Sequence, residues 1–84
     1  MAYQVRLKKR VIKTLMTIDE PNYSRIKESI YDLSLNPRPY SYIKLKDRNG
    51  YRVRVGDFRI IYAIYDNILV VEVLDLGHRK EIYG

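Results

Sequence analysis

Residues 51–62 read Tyr51-Arg52-Val53-Arg54-Val55-Gly56-Asp57-Phe58-Arg59-Ile60-Ile61-Tyr62. Apolar and charged residues alternate up to Gly56-Asp57, and a second apolar run begins directly after it. This is the pattern of two antiparallel strands joined by a two-residue turn. Such a turn pairs Val55 with Phe58, Arg54 with Arg59, Val53 with Ile60 and Tyr51 with Tyr62. Successive side chains of a strand point to opposite faces. Tyr51, Val53, Val55, Phe58, Ile60 and Tyr62 therefore make an apolar face, and Arg52, Arg54 and Arg59 share the other. A slip of one residue would exchange the two faces and destroy the cluster.

Downstream, Phe58 to Tyr65 continues as a strand, Asp66-Asn67 reads as a second two-residue turn, and Ile68 to Leu76 is a strongly apolar strand. Upstream, Tyr42-Ile43-Lys44-Leu45-Lys46 alternates and is followed by a loop at Asp47-Arg48-Asn49-Gly50. Before Pro37 to Pro39, a short connector, the period changes from two to that of a helix. Val11, Ile12, Leu15 and Met16 mark one amphipathic helix within Lys8 to Ile18. Tyr23, Ile26, Ile30 and Leu33 mark a second, with Asp19 as its cap, Pro21 in its first turn and Asn36-Pro37 as its stop. Tyr3 to Leu7 alternates as a short strand near an edge. The expected architecture is α+β: an N-terminal strand, a helical hairpin and a four-stranded antiparallel meander, in the order β-α-α-β-β-β-β. Residues 1–84 form a single domain with both helices on one sheet face, leaving the other available.

Composition narrows the possible partners. Sixteen Lys and Arg against ten Asp and Glu give a formal charge of +6, which favours polyanions or acidic proteins. The absence of cysteine excludes disulfides, thiolate nucleophiles and cysteine-based zinc sites. No stretch approaches the roughly 18 apolar residues that span a bilayer, and the first residues carry no apolar signal run, so a cytoplasmic location is expected. Nothing in the sequence calls for a cofactor or a metal.

Like charges placed directly across a sheet destabilise it, so three arginines on one patch fit best around an anion such as phosphate. The alternative is a solvated face on which the arginines splay apart. After the last strand, Gly77 allows a turn, and Gly77-His78-Arg79-Lys80-Glu81-Ile82-Tyr83 could fold back towards the arginine face. There His78 would offer an imidazole for proton exchange, Arg79 a further phosphate contact, and Tyr83 a stacking surface or a hydroxyl. A surface histidine and a tyrosine packed as a plug are the plainer readings of the same residues. Lys44, Lys46 and Arg48 are further candidates for contact with RNA.

The segment from Tyr51 to Tyr62, followed by Gly77-His78-Arg79 and Tyr83, resembles the signature half of the RelE/ParE superfamily of type II toxin–antitoxin toxins, and the RelE branch more than the ParE branch. The specific likeness covers about Leu45 to Tyr83, and the strand and helical hairpin before it agree in order. The resemblance implies a ribosome-dependent endoribonuclease that cuts messenger RNA in the A site without a metal, held in check by an acidic antitoxin in a toxin–antitoxin hetero-oligomer. It also implies attack of the ribose 2′-OH on the adjacent phosphorus, with cationic side chains stabilising the transition state. Carried over, Arg52, Arg54, Arg59, Arg79 and Tyr83 match functional positions. Arg59 and Arg79 fall to the scissile phosphate, and Tyr83 to the general base or stacking platform, with His78 as the alternative proton carrier. Where a well-known member has lysines this chain has Arg52 and Arg54, which makes these two electrostatic, because guanidinium is a poor proton acceptor. The other functions open to such a fold are ParE-like inhibition of DNA gyrase, or RNA or ribosome binding without catalysis.

Overall fold

Alternation in residues 51–65 produces the centre of the sheet. In the computed structural model, which describes residues 2–46 and 48–78, β3 (Tyr51–Val55) and β4 (Phe58–Tyr65) pair in the register expected: Val55 with Phe58, Arg54 with Arg59, Val53 with Ile60, Tyr51 with Tyr62. Gly56 adopts φ +59°, a conformation that L side chains rarely take, and so supplies the first corner of the tight turn. β5 (Val70–His78) flanks β4 on the other side, and β2 (Ile43–Lys44) flanks β3. β1 (Gln4–Leu7) closes the five-stranded sheet at its far edge, parallel to β5, giving the order β1-β5-β4-β3-β2.

The helices α1 (Lys9–Leu15) and α2 (Asn22–Leu35) cover one face. Val11, Leu15, Ile26, Ile30 and Leu33 from the helices meet Val53, Ile60, Tyr62, Val71, Val73 and Leu76 from the strands in one buried core. Tyr62 lies wholly inside it, where burial raises its pKa and its hydroxyl donates to the Pro37 carbonyl at 2.7 Å. Among the described residues, no helix is long and apolar enough to cross a membrane.

Several boundaries differ from expectation, each for a local reason. α1 stops at Leu15 because the chain tightens there: Thr17 N–H and Ile18 N–H bond to carbonyls three residues back, and the Thr17 hydroxyl donates to Thr14. At the start of α2 the side chain that receives hydrogen bonds is Glu20 rather than Asp19. Its carboxylate accepts both the Ser24 N–H (2.9 Å) and the Ser24 hydroxyl (2.6 Å), which holds its pKa below the usual value. β2 is only two residues long, because the Pro39 carbonyl captures the Tyr42 N–H and Leu45 turns its N–H to Gly50.

The β4–β5 connection departs most. In place of a two-residue turn at Asp66-Asn67, residues 66–69 make the turn and Tyr65 pairs with Val70. Leu69 accepts φ +53° there, and its carbonyl receives the Gln4 N–H at 2.8 Å, which starts β1 alongside β5. A bulge at Leu74 then shifts the register once more. The carbonyl of the bulged Leu74 is taken by Arg10 Nε of α1 at 2.9 Å, so this exposed cation has a structural task.

The same turn anchors the N-terminus and the connector between α2 and β2. Asp66 accepts two hydrogen bonds from the Arg38 guanidinium (2.8 and 3.2 Å) and one from the Tyr3 hydroxyl (2.6 Å). These bonds hold the Asp66 carboxyl at about 2, from an ordinary 3.8. A carboxylate with a depressed pKa adds stability above its unfolded value and loses it as pH falls through the folded value. Wild-type protein should therefore lose thermal stability between about pH 4 and pH 2 more steeply than Asp66→Asn, in melts followed by circular dichroism.

Candidate functional site

The sheet face turned away from the helices can be read row by row from the pairings. Nearest the Gly56 turn, Arg54, Arg59 and Gly77 lie side by side across β3, β4 and β5. The next row holds Ile43, Arg52, Ile61 and Asp75, and the one after it Ala63, Glu72 and Arg6. The arrangement thus brings Arg52, Arg54 and Arg59 onto one surface. Directly opposed residues on antiparallel strands have Cβ atoms about 4.5–5.5 Å apart, so the guanidinium groups of Arg54 and Arg59 begin from neighbouring stems.

Their environments differ. Arg54 is exposed and Arg52 half-buried, whereas Arg59 is only 3% exposed. Burying a cation is costly unless nearby groups compensate it, and Arg59 and Arg52 both interact with other groups of the chain. Asp75 occupies the diagonal position next to Arg59, a site for partial compensation. Gly77, directly beside Arg59 on β5, has no side chain to crowd the Arg59 stem. The result is one buried arginine beside one exposed to solvent. That combination can receive an anion from the exposed side and hold it against a fixed cation.

The face is less uniformly basic than the pattern of residues 51–62 suggests. Glu72 lies 3.9 Å from the Lys8 ammonium and pairs in the sheet with Arg6. Ile61 and Val70, at 5% and 3% exposure, are buried on this side without belonging to the helix-facing core. Glu72, Asp75 and Gly77 were not singled out for this face from the sequence, because the turn and the bulge reset which residues of β5 stand beside β4. A two-residue turn at Asp66-Asn67 would have put Leu74 beside Arg59.

Other expected site residues are dispersed. Gly77 does not turn the chain; it continues β5 opposite Arg59, and alternation sends His78 to the helix-facing side. There the imidazole meets the Phe58 ring nearly edge-on, with centroids 5.7 Å apart, at a polar cleft lined by Thr14, Thr17, Asp19 and Asn22. His78 therefore stands across the sheet from the arginines it was expected to join. Lys44 is opposed to Tyr51 and also takes the helix-facing side, while Ile43 takes the arginine side. Lys46 and Arg48 are exposed in the loop before β3. Arg79 and Tyr83 lie outside the described residues.

The turn that aligns Arg54 with Arg59 is itself testable. A Cβ added at Gly56 would come no closer than 4.0 Å to Asn22 Oδ1, so Gly56→Ala should act through backbone strain alone. A side chain forced into left-handed φ costs about 1–2 kcal/mol, a loss readable as a lower midpoint in urea unfolding.

Known proteins share the family and the fold of this chain. Residues 3–83 match the family described as ParE toxin of type II toxin-antitoxin system, parDE. A Methanocaldococcus jannaschii protein named as toxin RelE1 is 31% identical over 87 residues, covering 99% of this chain and 97% of the relative. The archaeal RelE–RelB complex from Pyrococcus horikoshii contains a chain of the same fold, with TM-score 0.83 and 32% identity, covering 96% of this chain and 99% of that one. A chain of the RelBE2 toxin–antitoxin complex from Mycobacterium tuberculosis superposes with TM-score 0.82 at 24% identity, covering 94% of this chain and 100% of that one, and shares the fold.

Proposed function

The chain belongs to the ParE toxin family of type II toxin–antitoxin systems, and on that premise we infer that it is a toxin of RelE type which cuts messenger RNA on the ribosome. One observation carries the nuclease reading: Arg54 and Arg59 stand directly opposed, with Arg52 on the same face. Such a row is unfavourable on its own and becomes favourable around a phosphodiester.

In the proposed reaction the 2′ oxygen of a ribose attacks the adjacent phosphorus. The O2′–P bond forms, the P–O5′ bond breaks, and the products carry a 2′,3′-cyclic phosphate and a 5′-OH. A base removes the 2′ proton and the leaving 5′ oxygen gains one. Charge builds on the non-bridging oxygens of the pentacoordinate transition state, where preorganised guanidinium donors stabilise it without a metal ion. Arg59 is proposed to fix the phosphate, and Arg54 and Arg52 to neutralise the growing charge. Arg79 is proposed as a further phosphate contact and Tyr83 as the base or the stacking surface. His78 takes no part in the proposed proton transfer, since its ring packs on the far side of the sheet against Phe58.

Arg54 is exposed, so its removal should leave folding nearly intact. Loss of one preorganised donor typically lowers turnover by about 10²–10³-fold. Arg54→Ala should show a fall of that size in message cleavage on programmed ribosomes, with melting close to wild type. Wild-type protein that leaves message intact under those conditions would sink the nuclease reading.

A second reading follows from the ParE description of the matched family: inhibition of DNA gyrase by binding alone. A supercoiling assay separates the two, because a gyrase inhibitor would block supercoiling and its toxicity would survive Arg54→Ala.

The relatives solved as complexes with RelB support a protein partner as well. A chain of charge +6 that carries three arginines on one sheet face fits an acidic, partly disordered antitoxin that folds across it. Co-expression with an acidic cognate antitoxin should give a stable complex that abolishes cleavage.

A further inference from the structure

Between α2 and β2 the chain runs Asn36-Pro37-Arg38-Pro39-Tyr40-Ser41-Tyr42. This connector is tied down on both sides. The Pro37 carbonyl accepts the Tyr62 hydroxyl, Asn36 Oδ1 accepts the Arg38 N–H at 3.1 Å, the Arg38 guanidinium is clamped on Asp66, and the Pro39 carbonyl accepts the Tyr42 N–H at 3.0 Å. Two prolines further restrict the backbone. On this fixed support Tyr40 is fully exposed, so its ring contributes nothing to the core. A large ring that packs against nothing is open to an incoming flat group, and because the backbone carrying it is already tied down, only the side chain has to be ordered when one arrives.

The neighbourhood points to the kind of group. Tyr42 lies at the surface with its ring 5.6 Å from Tyr51, which in turn lies 5.9 Å from the buried Tyr62, so aromatic rings lead from the core to the connector. Lys44, Lys46 and Arg48 follow, all exposed, and Lys44 shares the side of Tyr51 rather than that of the arginines. Across residues 36–48 the only acid is Asp47, against the cations Lys44, Lys46 and Arg48 and an Arg38 already paired with Asp66. Exposed tyrosine interleaved with charge of one sign fits single-stranded nucleic acid, in which bases stack on rings while phosphates meet the cations.

We propose that Tyr40, supported by Tyr42 and the cations Lys44, Lys46 and Arg48, is a stacking platform for an unpaired base of single-stranded RNA, separate from the arginine face. The inference rests on the RNA-directed reading of the protein and adds a place where RNA is held rather than cut.

The probe is a fluorescein-labelled ten-nucleotide oligoadenylate carrying 2′-O-methyl groups, which block attack by the 2′ oxygen, so that anisotropy reads binding alone. Loss of one base–aromatic stack is worth about 1–3 kcal/mol, so Tyr40→Ala should weaken binding about 5- to 150-fold. Tyr40→Trp should bind at least as tightly as wild type, Tyr40→Leu should stay weak, and all three should melt like wild type. A ten-base-pair duplex with the same backbone chemistry should bind wild type and Tyr40→Ala equally, because its bases are already stacked. Unchanged single-strand affinity in Tyr40→Ala, absence of binding by wild type, or a defect confined to an acidic protein partner would each overturn the proposal. Ribosomal cleavage measured in parallel keeps the two readings apart. Tyr40-dependent binding by a wild type that cuts no message removes only the nuclease, and cleavage by a wild type whose Tyr40→Ala variant binds RNA normally removes only the platform.

Discussion

A turn of two residues leaves β3 and β4 no slack. Once Gly56 takes its left-handed φ and Val55 meets Phe58, every later pair is decided, and with it the face on which each side chain lies. The core depends on this register, because Val53, Ile60 and Tyr62 must all reach the helices together. The arginine row depends on it equally, since the same alternation that sends the apolar residues inward sends Arg52, Arg54 and Arg59 outward. Hydrophobic burial thereby enforces an electrostatic arrangement that would not form by itself. Core and site are two consequences of one register, and neither can slip without the other.

The second neighbour of Arg59 is arranged by different means. A four-residue turn, a bulge at Leu74 and the hydrogen bond from Arg10 to the bulged carbonyl together place Gly77 beside it. These features interrupt an otherwise regular sheet, and bulges of this kind commonly occur where a side chain has to be aimed. Leu69 carries the associated backbone strain at a position whose carbonyl also begins the pairing with β1. The irregular part of the fold lies next to Arg59, the charged residue that is most deeply buried among the described residues.

At the opposite end of the sheet, Asp66 gathers the Arg38 guanidinium and the Tyr3 hydroxyl, joining the N-terminus, the connector and the β4–β5 turn. Segments far apart in sequence are cross-linked there by charge-assisted bonds in a chain with no disulfide. The consequence is an ordered connector on the edge of the sheet. The two basic regions are therefore built differently: one from alternating strand residues, the other from a loop held in shape by an ion pair.

The sequence by itself determined the number and order of the elements, the β3–β4 register and the separation of apolar from arginine faces. Each of these rests on local periodicity and on a turn whose length can be counted from Val55 to Phe58. The tertiary structure alone decided that Gly77 stands beside Arg59, that His78 turns to Phe58 and Lys44 to the side of Tyr51, and that Glu20 rather than Asp19 serves α2. Those outcomes hang on how many residues the 66–69 turn consumes, on one bulge, and on hydrogen bonds to residues distant in the chain. Strand alternation amplifies any such shift of one residue into a change of face, so the β5 side of the site became readable only when the segments had been packed together.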